Sequence, residues 1–459
     1  MKTTSVVLAA GQGTRMNSST PKVLHPLLGY PLVWHSLETA RQASGEKPVL
    51  VICHAAEAVR QAVGEAAQFV LQQPQLGTGH AVQQAEAFLR DNTDFIIVTY
   101  ADMPLLTAET LSRVMRAHTE QHARHPGATP ITMLTVLADD ARGFGRVVRH
   151  PDGAVRGIVE EAQATPQQLS IRELNPGVYC FTADWLWGAL RRIPLSPKGE
   201  YYLTDVVALA VSDGLSVQTL LVEDASETIG INTRLHLAEA TALLRRRINQ
   251  KWMLAGVTLI DPSTTYIEPK VEIGQDTVVW PNTYLYGNTI IGEACTLGPN
   301  AIIHDTRIGN GCEILASVLE KAVVEDDVEI GPFARLRAGA HLDKGVHMGN
   351  FGEVKNSYLG PGVKMGHFSY VGDSTIGANA NVSAGVITCN FDGQKKNHTD
   401  IGADVFLGSD TMLVAPVTIG EGARTGAGAV VTKDVPPHSL AVGIPARVIR
   451  KWQPAESQK

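Results

Sequence analysis

Two different periods divide the chain. Up to about residue 228, short continuous apolar runs, "VVLAA", "PVLVIC" and "FIIVTYAD", alternate with helix-like stretches such as Leu32–Ala43 and Leu76–Leu89. Runs that are apolar at every position predict strands covered on both faces, and their alternation with helices predicts βαβ units in a mainly parallel sheet. Residues Leu235 to Met253 read as one helix, with Ala240, Leu244, Ile248 and Trp252 four apart, long enough to join two domains. From Val271 the period changes. Ile-Gly recurs at Ile273, Ile291, Ile308, Ile330, Ile376, Ile401 and Ile419, with Leu-Gly at Leu359, and several intervals are 17 or 18 residues. Echoes of about six residues lie between them, the hexapeptide pattern of a parallel β-helix in which each unit turns one aliphatic side chain inward. Stacked coils then bury a column that no single coil could bury.

The period breaks twice. The interval from Ile376 to Ile401 is 25 residues and holds "NFDGQKKNHTD" with Lys395 and Lys396, whereas that from Ile330 to Leu359 is 29 and holds Arg337, Glu353 and Lys355. Both are expected to be loops on a rigid scaffold, where function concentrates. Tolerated surface insertions with solvated lysines would look the same.

At the other end, "SVVLAAGQGTRM" places Gly11, Gly13 and Arg15 directly after the first strand. Glycine-rich backbone beside a guanidinium suits an anion such as phosphate, at the strand ends where parallel sheets bind ligands. Asp102 also follows a strand. Neither the GxGxxG nor the Walker pattern is met, and a tight strand-to-helix turn would need the same glycines.

Composition narrows the choice. A chain of 459 residues exceeds one hydrophobic core, so two domains are expected, and a net charge of −7 gives no general cationic field for nucleic acid. Five cysteines form no CxxC pair, which predicts free thiols in a reducing compartment and no metal cluster among them. The first apolar run is too short for a signal peptide, and nothing approaches the roughly 18 apolar residues of a membrane span. A cytoplasmic protein is expected.

Several longer motifs carry a resemblance. "LAAGQGTRM" with "PKVL", "QLGTGHA" and "YADMPL" resembles the sugar-1-phosphate nucleotidylyltransferases. Together with "GHFSYVGD" and "GVITCNFDG" the chain resembles, over nearly its whole length, the bacterial family of bifunctional N-acetylglucosamine-1-phosphate uridylyltransferase/glucosamine-1-phosphate N-acetyltransferases. The resemblance implies an α/β nucleotidyltransferase domain with a Rossmann-like mixed sheet at 1–228, a linker helix at 229–254 and a left-handed parallel β-helix at 255–459. Handedness rests on the resemblance alone, since general crossover rules favour the right hand.

Function follows from the same source. The resemblance implies transfer of an acetyl group from acetyl-CoA to the amine of glucosamine-1-phosphate. The N-acetylglucosamine-1-phosphate oxygen then attacks the α-phosphorus of UTP and pyrophosphate leaves. By resemblance Leu8, Ala9, Ala10 and Gly11 contact the uridine side of UTP, Arg15 and Lys22 neutralise its phosphates, and Gln73, Gln75, Gly77 and Thr78 form the base-contacting segment. Asp102 and Asn232 match ligands of Mg²⁺, a hard cation that takes oxygen donors. Tyr100 lies beside them, and Gly145, Glu160 and Asn175 match positions around the N-acetylglucosamine moiety. In the other half His367 matches the general base that the amine requires, and Glu353, fourteen positions earlier, matches the residue that orients it. Arg337, Lys355 and Lys396 match phosphate-binding cations, Tyr370 and Asn381 match amino-sugar contacts, and Ala384, Asn390, Phe391, Ser409, Ala427 and Arg447 match positions around acetyl-CoA. A homotrimer acting on small molecules is implied, with no nucleic acid and no membrane insertion.

Two departures stand out. Phe391 replaces a tyrosine common in the family, and the tail "AVGIPARVIRKW" offers Arg447 where some members carry a cofactor-contacting arginine. Two rival readings are a nucleotidylyltransferase whose β-helix serves only assembly or regulation, and a non-catalytic nucleotide-sugar binding or scaffold protein. The joint presence of His367, Lys355 and Lys396 argues against the first, and that of Arg15, Lys22 and Asp102 against the second.

Overall fold

The computed structural model describes residues 1–11 and 13–451, which form two compact units that divide after residue 244, within one helix, Arg234–Leu254. Gln12 of the glycine-rich loop lies outside the described residues.

In the N-terminal unit, Thr3–Leu8 lies between Val49–Ile52 and Phe95–Tyr100, parallel to both, with Gln68–Leu71 beyond. Val6, Val7, Leu50, Val51, Ile97 and Val98 have no exposed surface, as continuous apolar runs require. The sheet is mixed rather than mainly parallel. Tyr179–Thr182 enters antiparallel between Phe95–Tyr100 and Ile131–Leu137, and the far edge, Glu173–Asn175, Gly145–Arg149 and Val155–Val159, is antiparallel throughout. Apolar runs encode burial and not direction, which depends on where the chain returns.

The C-terminal unit is built from three sheets of 12, 10 and 9 strands, most of them two or three residues long and all parallel except the last, Arg447–Lys451, which returns antiparallel along Ser439–Val442; they are the three faces of a left-handed β-helix. One inward column runs in register through Ile273, Ile291, Ile308, Val324, Leu342, Leu359, Ile376, Ile401 and Ile419. Each is buried, and each buried aliphatic side chain contributes about 1.5–3 kcal/mol. Corner residues such as Asp276, Asn282, Asn300, Asp327, Asn356 and Asn379 have positive φ, the conformation in which Asn and Asp are enriched.

The column corrects the sequence expectation at one break. Ile330 belongs to another face, paired with Ile314 and Met348, and Val324 and Leu342 carry the column from Ile308 to Leu359. Arg337, Glu353 and Lys355 therefore lie on or beside regular strands and not in an inserted loop. The 25-residue interval is a true insertion: residues 390–398 leave the coil as a small hairpin, bridged antiparallel between Phe391 and Lys396.

The helix Arg234–Leu254 serves each unit with a different segment. Ala240, Leu237, Leu243 and Leu244 pack with Met16, Leu27 and Leu105, while Trp252 and Ile248 join the β-helix core. The five cysteines are free, and no helix among the described residues is long and apolar enough to cross a membrane.

Candidate active sites

The first site lies beyond the carboxyl ends of Thr3–Leu8 and Phe95–Tyr100. A cavity of about 280 Å³ is lined by Leu8, Ala9, Ala10, Gly11, Lys22, Gln75, Gly77, Thr78 and others, and a second of about 310 Å³ by Gly145, Glu160, Asn175, Asn232 and others. Thr78, Tyr100, Asp102 and Tyr202 line both. The chambers thus meet at a carboxylate.

Local geometry explains how the chain reaches that point. Gly13 has φ 67°, and a Cβ there would lie 2.5 Å from that of Lys22, so its absence lets the glycine loop and the Lys22 turn close together. Gly77 has φ 96° and a Cβ there would meet the Tyr201 carbonyl at 2.7 Å. The buried Gln72 amide holds this loop by donating to the Gly77 carbonyl at 2.9 Å. Gln75 donates to the Ala10 carbonyl, joining two segments that line the first cavity. Asn232 is delivered by the segment after the buried Glu227. That carboxylate accepts from Thr107 N–H and Oγ1 at 2.9 Å each and from Thr110 Oγ1 at 3.0 Å, and Ile231 N–H donates to the Asp102 carbonyl at 2.8 Å. Arg142 ties the Gly143–Gly145 loop to Glu239 by a two-point ion pair at 2.8 and 3.0 Å.

Lys22 is the central cation. Its ammonium pairs with Asp102 and donates to Asn232 Oδ1 at 3.2 Å, so one point in space receives a carboxylate oxygen and an amide oxygen. These are the hard oxygen donors that a Mg²⁺ ion takes. No group of three or more His, Cys, Asp and Glu assembles among the described residues. Burial, with Asp102 and Glu160 nearby, pushes the Tyr100 phenol far up, so it stays a neutral donor. Asn175 is spoken for internally: its amide donates to the Tyr179 hydroxyl at 2.6 Å and its oxygen accepts from Gly177 N–H at 3.1 Å. Glu160 accepts from Thr204 at 2.8 Å.

Two expected residues stand apart. Arg15 is exposed on the Thr14–Met16 turn, and Gln73 is exposed beside the buried Gln72; neither lines the cavity. Alternation along an extended segment explains the latter, because Gln72 and Gln73 face opposite sides.

The second site lies on the β-helix. Asn350 and His367 are register partners one coil apart, and Lys364, Asn381, Phe406 and Arg424 continue the same face. His367, Ala384, Ser409 and Ala427 each follow that row by three residues, forming a track along one corner. The small residues leave the edge open. The next face stacks Arg335, Glu353 and Tyr370, and two residues further on Arg337, Lys355 and Gly372. Lys396 reaches Lys355 from the inserted hairpin, which Asp392 ties together by accepting from Lys395 N–H at 2.8 Å, Gln394 N–H at 2.9 Å and the Asn397 amide at 2.9 Å. Asp373, the acid facing these lysines, accepts from Asn356 at 2.7 Å and Asn390 at 2.5 Å; burial opposes its ionisation, but these bonds and the lysines hold its carboxyl low. Ser409, Ala427, Phe391 and Arg447 are exposed.

Glu353 is not the partner of His367 in this chain. It accepts from Arg337 Nη1 at 2.9 Å, whereas His367 Nδ1 faces Asn350 Oδ1 at 3.3 Å. A coil here is 17 residues, so the fourteen-position spacing crosses to the neighbouring face. The coil spacing itself points to Asn350. With Asn350 as acceptor, Nδ1 carries the proton and Nε2 is left with its lone pair.

Comparison with known proteins gives the family. Residues 5–148 match the model of the MobA-like NTP transferase domain, and residues 270–305 and 398–433 match the bacterial transferase hexapeptide (six repeats). The bifunctional protein GlmU of Heliobacterium modesticaldum is 46% identical over 442 residues, covering 96% of this chain and 95% of that protein. The chain belongs to the GlmU family. Those of Geotalea uraniireducens, at 46%, and a Geobacillus species, at 43%, match over 95% and 96% of this chain respectively and 95% of their own lengths. The chain is therefore a bifunctional transferase, a nucleotidyltransferase followed by a hexapeptide acyltransferase.

Proposed function

We propose that the chain makes UDP-N-acetylglucosamine in two steps, with residues 1–228 as uridylyltransferase, 229–254 as linker and 255–459 as acetyltransferase. On the β-helix, acetyl-CoA lies along the His367, Ala384, Ser409 and Ala427 corner, where small side chains leave room for an extended arm. Arg337, Lys355 and Lys396 hold the phosphate of glucosamine-1-phosphate. His367 Nε2 takes a proton as the amine attacks the thioester, since an ammonium has no lone pair to attack with. The C–N bond forms, the C–S bond breaks and coenzyme A leaves as the thiol.

In the N-terminal unit UTP occupies the chamber at Leu8–Gly11 and Gln75–Thr78, and N-acetylglucosamine-1-phosphate the chamber at Gly145, Glu160 and Asn175. Mg²⁺ held by Asp102 and Asn232 supplies charge neutralisation at the phosphates. The protein aligns the sugar phosphate oxygen with the α-phosphorus, and alignment with charge placement carries most of such a reaction. The observation that supports this most directly is the junction of two chambers at Asp102. The working form is a cytoplasmic homotrimer. Supporting assembly is an unpartnered aromatic ladder at one corner, Phe333, Phe351 and Phe368, 61%, 59% and 57% exposed, the first two stacked at 5.5 Å.

One reaction mixture tests the whole reading. Purified chain supplied with glucosamine-1-phosphate, acetyl-CoA, UTP and Mg²⁺ is expected to yield UDP-N-acetylglucosamine and pyrophosphate, detected by mass spectrometry. Omitting acetyl-CoA is expected to stop the product, and adding N-acetylglucosamine-1-phosphate to restore it.

The lysine cluster gives a pH signature. Lys355 titrates below the usual lysine range because Lys396 hydrogen-bonds to its neutral form, with desolvation and the charges of Lys396 and Arg337 adding to this. A lowered ammonium loses its charge sooner as pH rises, so affinity for the sugar phosphate falls on the alkaline side. Lys396→Ala is expected to raise the KM for glucosamine-1-phosphate near neutrality, yet to move its alkaline limb to higher pH. Acetylation kinetics across that range would show both effects.

A further inference from the structure

Lys22 stands at the point where the Asp102 and Asn232 oxygens converge, and this arrangement has a consequence beyond phosphate binding. The pair is sheltered, with side chains 10% and 21% exposed. Asp102 lines both chambers, Asn232 the sugar chamber and Lys22 the nucleotide chamber, so the ion pair occupies their junction. An ammonium and a divalent cation cannot share that point: both need the same two oxygens, and their charges repel.

We propose that Lys22 is a built-in counter-ion that closes the metal site of the free enzyme and opens it only when a nucleoside triphosphate draws its ammonium away. The proposal rests on the assignment of Asp102 and Asn232 as metal ligands. The stem of Lys22 is held where it passes Gly13, while its head rotates on flexible methylenes and already lines the chamber that receives the phosphates. In the free state the Asp102 charge is balanced by Lys22. Once polyphosphate is present, the ammonium balances phosphate oxygens, and Asp102 and Asn232 are released to the cation that arrives with them. Metal binding is thereby made conditional on nucleotide.

The test uses Mn²⁺ as the probe and the full chain, with free Mn²⁺ read by electron paramagnetic resonance. Without nucleotide the wild type is expected to bind Mn²⁺ weakly. Lys22→Met and Lys22→Gln are expected to bind it about 10- to 100-fold more tightly, the equivalent of the charge-assisted hydrogen bonds that the metal no longer displaces. Adding Asp102→Asn to either variant is expected to remove the gain. Acetyl transfer by the same preparations, which needs none of these residues, reports that the chain is intact. If the Lys22 variants bind Mn²⁺ no more tightly than wild type while Asp102→Asn still weakens Mn²⁺ binding in the presence of a non-hydrolysable UTP analogue, the counter-ion role is overturned and the metal site stands. If Asp102→Asn leaves Mn²⁺ binding with the analogue unchanged, the metal assignment fails and the proposal with it.

Discussion

Asp102→Ala is expected to lower uridylyl transfer by about a thousandfold, the rate equivalent of the several kcal/mol that a positioned divalent cation supplies at developing phosphate charge. Acetyl transfer is expected to be unchanged. Asp102 stands where two chambers meet, and its carboxylate is the anionic donor at that point, paired with Lys22 and converging with Asn232. The substitution also leaves Lys22 without its acidic partner, so Asp102→Asn is the better-behaved comparison: it keeps shape and one oxygen while removing the charge. Both variants assayed in parallel for pyrophosphate release and coenzyme A release would decide. Uridylyl transfer at the wild-type rate in either would remove the metal role from Asp102.

The second large effect belongs to His367. Replacing it with alanine is expected to lower acetylation by about 10²–10⁴-fold, the usual contribution of a positioned acid or base, with uridylyl transfer unaltered. Asn350 refines the expectation. Its oxygen faces Nδ1 at 3.3 Å and favours the tautomer that leaves Nε2 free, so Asn350→Ala should lower kcat with little change in KM. Glu353→Ala should act differently, through Arg337 and the sugar phosphate, and raise KM. Near-normal acetylation by His367→Ala would assign the proton to another group.

Much of this was legible in the sequence because the β-helix repeats its instruction every coil. The column from Ile273 to Ile419 could be read directly, yet Ile330 was placed in it wrongly. An inward position needs only aliphatic bulk, which Val324 and Leu342 supply without a following glycine, while Ile-Gly also occurs on another face at Ile330. That one misplacement created an apparent loop around Arg337, Glu353 and Lys355. In the nucleotidyltransferase half the parallel strands and the ligand-facing ends of Thr3–Leu8 and Phe95–Tyr100 were readable. The antiparallel entry of Tyr179–Thr182 was not, because it depends on a return from far along the chain. A contact of the same kind, Glu227 beneath Thr107, left no local pattern to find.

The register of the inward column also governs which changes of length the acyltransferase half can absorb. Every step along it is one full circuit of the prism, so a whole coil can be added or removed with the aliphatic seam unbroken and the layers above displaced by one strand spacing, about 4.8 Å. Any other insertion has to exit at a corner. Residues 390–398 do so between Ile376 and Ile401, and it is this surplus, outside the count of the coil, that carries Lys396 to the cations stacked on the regular strands. A scaffold so intolerant of partial turns thus confines novelty to its edges and lets overall height drift freely.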